Sequence, residues 1–195
     1  MCPHVRRGDI VFIISPDDYP GYTGLAKRID CILHALSKSG IKVVLIAPRF
    51  FTSSTGQHHD EGTPFSGVKI EKMDIRWLRR PSRIFRLLMY VFLTFFSIKK
   101  MCEYGEKVAF VQYESLYALP IALLLKFLFG KTVIGDDIVL GIYKHHKASG
   151  RKFLFTIKIA LHIFLIKIAS LGSTMIITSS PMLYEWARKG LNINN

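Results

Sequence analysis

Acidic residues are scarce: 14 Asp and Glu stand against 27 Lys and Arg, a net charge of +13 over 195 residues. The scarcity is local. From Arg76 to Lys100 there are seven cations and no acid, and from Lys144 to Lys167 six cations and no acid. In both stretches the cations alternate with Leu, Ile and Phe rather than with Gly, Ser and Asn. That pattern disfavours a nucleic-acid partner and favours an anionic membrane surface. Cysteine is also rare. Cys2, Cys31 and Cys102 are odd in number and far apart, which excludes a disulfide framework and zinc or redox spacing and implies reduced thiols in a cytoplasmic setting. The N-terminal MCPHVRRGD has no apolar core of a secretory signal. Long uncharged runs are missing too. Leu87 to Ile98 gives only twelve uncharged residues, and the later apolar stretch is interrupted by Lys158, His162 and Lys167, so neither reads as a membrane span. There is no GxGxxG, Walker, GxSxG or HExxH pattern.

What is present is an alternation. Half of the residues are hydrophobic, enough for a full core and against global disorder. Asp9–Ile14 (DIVFII) is a short β-branched run that predicts a buried strand. A turn-rich loop, SPDDYPGYTG, precedes an amphipathic helix on which Leu25, Ile29, Ile32, Leu33 and Leu36 recur at helical spacing, with Gly40 as its stop. Lys42–Ala47 predicts the second strand, completing a βαβ unit. Further strands are expected at Val68–Lys72, Val108–Gln112, Thr132–Gly135 and Thr174–Thr178. Helices are expected from Pro81 to about Lys100, over Leu116–Phe129 and Phe153–Leu171, and over Pro181–Lys189. On the helix after Pro81, the residues Arg83, Arg86, Tyr90, Thr94, Ser97 and Lys100 form one narrow polar stripe, leaving an apolar face too broad for an ordinary surface helix. The expected fold class is α/β: a single Rossmann-like, doubly wound, mostly parallel sheet with Asp9–Ile14 central.

In such sheets ligands bind beyond the carboxyl ends of the strands. Pro20-Gly21-Tyr22-Thr23-Gly24 lies there, a glycine loop before a helix N-terminus, suited to close backbone approach or an anion but equally to a plain turn. Gly135-Asp136-Asp137 offers carboxylates able to orient a hydroxyl or act as a base, or simply to cap a helix. Glu114 follows the fourth strand, and Ser180 before Pro181 has the form of an N-cap. His58-His59-Asp60 and His145-His146 lack a third ligand at useful spacing, so no metal site is assigned.

Three segments resemble one family. GYTGLAKRIDCILHALSKSGIKVVLIAP is similar to the opening of family 4 (group 1) retaining glycosyltransferases of the GT-B type, where a glycine loop leads to a helix and a second strand ending in Ala-Pro. VQYESLYALPIALLLKFLFGKTVIGDD resembles their fourth strand, helix and fifth strand, and STMIITSSPMLYEWARKGLN the sixth strand and following helix.

The resemblance implies that residues 1–195 are the N-terminal, acceptor-side Rossmann-like domain, with the C-terminal nucleotide-sugar domain absent. Gly21, Tyr22, Thr23, Gly24, Glu114 and Ser180 are then expected to contact donor or acceptor. Asp136, where many members carry a histidine, and Asp137 are expected at the reacting centre. The donor is a nucleotide-sugar acting as substrate, and no cofactor is implied. The implied activity is retaining transfer of a sugar to a lipid-linked or glycan acceptor at the cytosolic membrane face, dependent on a separate donor-binding domain or chain, with none expected from this chain alone. Arg79, Arg80, Arg83 and Arg86 are the expected membrane contacts. The alternative is a non-catalytic anchoring or regulatory subunit of a two-chain glycosyltransferase.

Overall fold

A computed structural model describes residues 9–16, 24–49, 65–74, 83–136, 152–177 and 185. Among these, six strands form one parallel sheet: β1 (Ile10–Ile14), β2 (Lys42–Arg49), β3 (Val68–Asp74), β4 (Val108–Tyr113), β5 (Thr132–Asp136) and β6 (Met175–Ile177). Their order is β3-β2-β1-β4-β5-β6, with every neighbouring pair parallel. β1 is central, and all five of its residues are buried. A strand flanked on both sides and covered on both faces has no place for a polar side chain, which is why IVFII reads as an unbroken apolar run.

Among the described residues four α-helices connect the strands: α1 (Gly24–Lys38), α2 (Arg83–Tyr104), α3 (Leu119–Phe129) and α4 (Lys152–Gly172). They divide between the faces. On one, Ile29 and Leu33 of α1 pack on Val11, Ile13, Val43, Leu45, Phe110 and Ile134. On the other, α2, α3 and α4 supply Met89, Leu93, Leu125, Ile166 and Ala169 to a larger core with Phe12, Ile14, Val111, Tyr113 and Val133. The helices therefore cover both faces, as the alternation implies.

Several boundaries differ from the sequence reading. β5 runs one residue further and ends on Asp136 itself. α3 begins at Leu119, not Leu116; Ala118 N–H bonds Ser115 O in the preceding turn, and the Pro in the helix's first turn needs no hydrogen-bond partner for its nitrogen. Gly130 closes α3 in the left-handed region at φ 64°, its N–H on Lys126 O. β6 is only three residues long. The helix expected over Pro181–Lys189 lies, apart from helical Glu185, outside the described residues, as do His58, His59, Asp60, His145 and His146.

The polar stripe of α2 is turned differently from a solvent-facing one. Ser97 is fully buried, in line with Met89, Leu93 and Met101 at intervals of four residues. Thr94 Oγ1 donates to Tyr90 O, and the Tyr90 ring stacks on Tyr117. Lys100 pairs with Glu71 of β3 at 3.1 Å and with Glu103 at 2.8 Å. Glu71 gathers more: Tyr104 Oη donates to it at 2.8 Å and Lys69 Nζ lies at 2.8 Å. This cluster fastens the end of α2 to the sheet edge. Burial pushes the Glu71 carboxyl upward, but hydrogen bonds from Lys69, Tyr104 and Lys100 outweigh it and hold the group below the usual range.

A carboxylate held low stabilises the fold above its unfolded pKa, and that contribution disappears as pH falls through the folded value. Glu71→Gln is therefore expected to lose about 1 kcal/mol at neutral pH, with the gap from the unmutated chain closing in acid, as read from urea midpoints across pH.

Candidate functional site

The sheet order reverses at β1: the chain runs outward through β2 and β3 on one side and through β4, β5 and β6 on the other. The carboxyl ends of β1 and β4 border that switch point, where a crevice opens in sheets of this kind. β4 ends at Tyr113, and Glu114 follows, its N–H on Ile14 O of β1 at 3.2 Å.

Strand alternation decides which side chains meet here. Along β4, Phe110 packs on the α1 side of the sheet, so Gln112 and Glu114 point the same way; along β5, Ile134 does so, and Asp136 follows. Three polar groups thus converge on the α1 face at the carboxyl edge. Asp136 is 0% exposed and Glu114 3%. Arg28, one turn into α1 from Gly24, reaches over the edge. Its Nε donates to Asp136 Oδ2 at 3.0 Å and its Nη2 to Oδ1, a two-pronged ion pair. Gln112 Nε2 donates to Glu114 Oε1 at 3.0 Å and approaches Asp136 Oδ2 at 3.4 Å.

One guanidinium serves two buried carboxyls, and Asp136 takes it. Glu114 Oε2 has no partner among the described residues. Burial, first, and the neighbouring Asp136 charge, second, push the Glu114 carboxyl up to about 8, against the weaker pull of Arg28 and Gln112. Burial and the adjacent Asp136 carboxyl thus favour the protonated form of Glu114. Ser115 Oγ, next along the chain, is likewise buried and without a partner among the described residues.

Close packing supports the edge from behind. Tyr113 Oη and Ser173 Oγ are 2.9 Å apart. A Cβ at Gly135 would come within 2.5 Å of the Tyr113 hydroxyl oxygen, so only glycine admits that ring beside Asp136.

Of the residues expected at a site, Glu114 and Asp136 come together, and Gly24 opens the helix that carries Arg28. Gly21, Tyr22, Thr23, Asp137, Ser180, Arg79 and Arg80 lie outside the described residues; Arg83 and Arg86 lie in the first turns of α2, with their side chains outside them. Arg28 and Gln112 were not anticipated. Arg28 reads as one more charge on an amphipathic helix, whereas Gln112, polar within the apolar run VAFVQY, carried a signal. Among the described residues no three of His, Cys, Asp and Glu gather as metal ligands would.

This is a Rossmann-like α/β domain with a buried charge network at its switch point, and its fold is that of one half of a GT-B glycosyltransferase. Solved structures of similar shape are glycosyltransferases. Sucrose-phosphate synthase from Thermosynechococcus elongatus superposes with a TM-score of 0.72 at 14% identity, over 94% of this chain and 45% of that one. A second structure of that synthase gives 0.62 at 10% identity, over 93% of this chain and 82% of its own. Os79 from O. sativa, in complex with U2F and a trichothecene, gives 0.53 at 11% identity, over 93% of this chain and 50% of that one. The chain thus spans about half the length of the full synthase. No protein-family model and no curated protein matches it.

Two outcomes test the network. A carboxyl whose folded pKa is raised favours the fold at low pH, and that advantage is lost as pH rises from the unfolded value through about 8. Glu114→Gln, which cannot ionise, is expected to gain on the unmutated chain between pH 5 and 8, by up to about 1.4 kcal/mol per pH unit. Arg28→Met strands the Asp136 carboxylate and is expected to cost about 3 kcal/mol in urea unfolding.

Proposed function

We propose that this chain is the acceptor-side, N-terminal half of a retaining glycosyltransferase that moves a sugar from a nucleotide-sugar to a lipid-linked or glycan acceptor at the cytosolic face of a membrane. The observation that carries this reading is the buried Arg28–Asp136 pair with Gln112 and Glu114, at the switch point of a half GT-B fold. A transferase that forms no bond to its own side chains works by positioning and by preset electrostatics, and a largely buried, fixed charge network suits both.

The roles divide by availability. Both oxygens of Asp136 are engaged by Arg28, so Asp136 serves to hold α1 and the local field in place. Asp137, the next residue, is the carboxylate left for the reacting centre. Glu114, as a neutral acid, donates or accepts a hydrogen bond toward an acceptor hydroxyl without repelling the donor phosphates. Gly21, Tyr22, Thr23 and Gly24 are assigned to supply backbone N–H groups to those phosphates, and Ser180 to contact donor or acceptor. The basic stretches that include Arg79, Arg80, Arg83 and Arg86 hold the domain against anionic lipid.

The purified chain alone is expected to leave UDP-glucose and GDP-mannose intact, with transfer appearing on mixing with a donor-binding GT-B half. Asp137→Asn should lower that transfer at least about 100-fold. Saturation-transfer NMR with maltose as a neutral acceptor probe should show contact by the chain itself. Steady nucleotide-sugar turnover by the isolated chain, or no maltose contact, contradicts the reading.

A further inference from the structure

The outer surface of the three-helix layer is inverted relative to an ordinary protein surface. Among the described residues, eleven of the thirteen exposed large hydrophobic side chains lie on α2, α3 and α4, which share one face of the sheet. On α2 the exposed stripe is Leu87, Val91 and Phe95, at intervals of four residues, while the stripe of Met89, Leu93, Ser97 and Met101 is buried. The helix therefore hides a serine and shows a phenylalanine. At the far ends of α3 and α4, Phe127 is 86% exposed and Leu171 85%. The two helix ends adjoin, since Lys126 Nζ donates to Gly172 O at 2.7 Å. Phe164 continues the face along α4. Exposed apolar side chains in this number on one helix layer mark a contact surface.

Charge identifies what covers it. The sequences of α2, α3 and α4 hold eight Lys and Arg and a single acid, Glu103, which is already paired with Lys100. Lys99 and Lys167 are exposed on the same helices. A second copy of the chain meeting this face would set cation against cation, because a two-fold contact opposes a patch to itself. A protein partner would need an acidic rim and an apolar centre. An anionic leaflet supplies both over any area: headgroups for the ammonium groups and acyl chains for Phe and Leu below them. Among the described residues no helix is long and apolar enough to cross a membrane, so the contact is lateral.

We propose that the outer face of α2, α3 and α4 lies flat on an anionic lipid surface, with Leu87, Val91, Phe95, Phe127, Phe164 and Leu171 in the interfacial layer. This deepens the membrane part of the reading above by assigning the contact to a three-helix face rather than to a basic segment alone. It sets the sheet alongside the bilayer, with the carboxyl edge, where Glu114 and Asp136 are buried, beside the headgroups.

The test is co-sedimentation of the chain with phosphatidylcholine vesicles that contain or lack phosphatidylserine, with size-exclusion light scattering in parallel. The chain is expected to bind only the anionic vesicles. Phe127→Glu with Leu171→Glu should reduce that binding at least about tenfold. Both side chains are almost wholly solvent-exposed, so circular dichroism and the melting temperature should hold. Lys99→Ala, which removes one exposed cation and no apolar contact, should weaken binding more at low salt than at high salt. Equal binding of the double variant, or no preference for phosphatidylserine, overturns the proposal. So does a dimer that the double variant converts to monomer, which would make the face a contact between copies. The maltose contact separates the two readings. Vesicle binding lost with maltose contact kept removes the lipid proposal alone, and the reverse removes the transferase reading alone.

Discussion

Asp136 ends β5 with no access to water, and its two-pronged ion pair with Arg28 is what makes that position tenable. A carboxylate stripped of water and left alone is far costlier than a lost hydrogen bond, so the pair is a condition of the fold as well as a feature of the site. It ties α1, which follows the central strand, to the end of a strand two places away in the sheet. It also draws the guanidinium of Arg28, the one cation of the cluster among the described residues, onto Asp136. Glu114 is then left with an amide and a neighbouring negative charge, and its proton is the consequence. One contact thus fixes the orientation of α1, the geometry of the carboxyl edge and the protonation state beside it.

The two faces of the sheet solve their packing problem differently. α1 buries Ile29 and Leu33 and turns Lys27, Cys31 and Lys38 outward, as an amphipathic helix does. The opposite layer has more apolar surface than the sheet can accept. Three helices that are mostly Leu, Ile and Phe cannot all bury both flanks against one sheet, so the surplus faces out. The Glu71 cluster fixes how α2 is rotated: Lys100 and Tyr104 are drawn to the β3 edge, and with them the polar stripe turns from solvent. The positive mean hydropathy of the chain is the compositional trace of this surplus.

How far the sequence discloses this follows from the range of each signal. Strands written as β-branched runs, such as IVFII, and the stop at Gly130 depend on neighbours a few residues apart and were legible. So was the placement of Glu114 and Asp136 at strand ends, because a parallel sheet puts every such end on one edge. Arg28 was not: its partner is 108 residues away, and nothing local separates it from a solvated cation. Gln112 offered a fainter clue, a polar residue in a strand that is otherwise apolar, but only the register of β4 against β5 shows what it joins. The α2 stripe was legible as a pattern and not as a direction. A helical wheel gives the angular positions of polar groups, whereas the side that faces the sheet is set by contacts with β3 and α3.

The charges of this molecule belong to two regimes. Among the described residues Lys27, Lys38, Lys42, Lys69, Lys99, Lys107 and Lys167 are exposed, and the fields of such charges fade within about 10 Å at 0.1 M salt. Those charges act on whatever surface lies close by and respond directly to ionic strength. In the buried cluster the Arg28 guanidinium faces the Asp136 carboxylate, with the Glu114 carboxyl and the Gln112 amide beside them. Because it is largely buried, salt screens it far less than the exposed charges, and a group that touches the edge alters it most directly. Attachment to a surface and the chemistry of the edge can therefore vary independently, although both are built on the same six strands. The geometry follows the same division, with the apolar surplus on the three-helix layer and the buried network on the opposite face at the carboxyl edge.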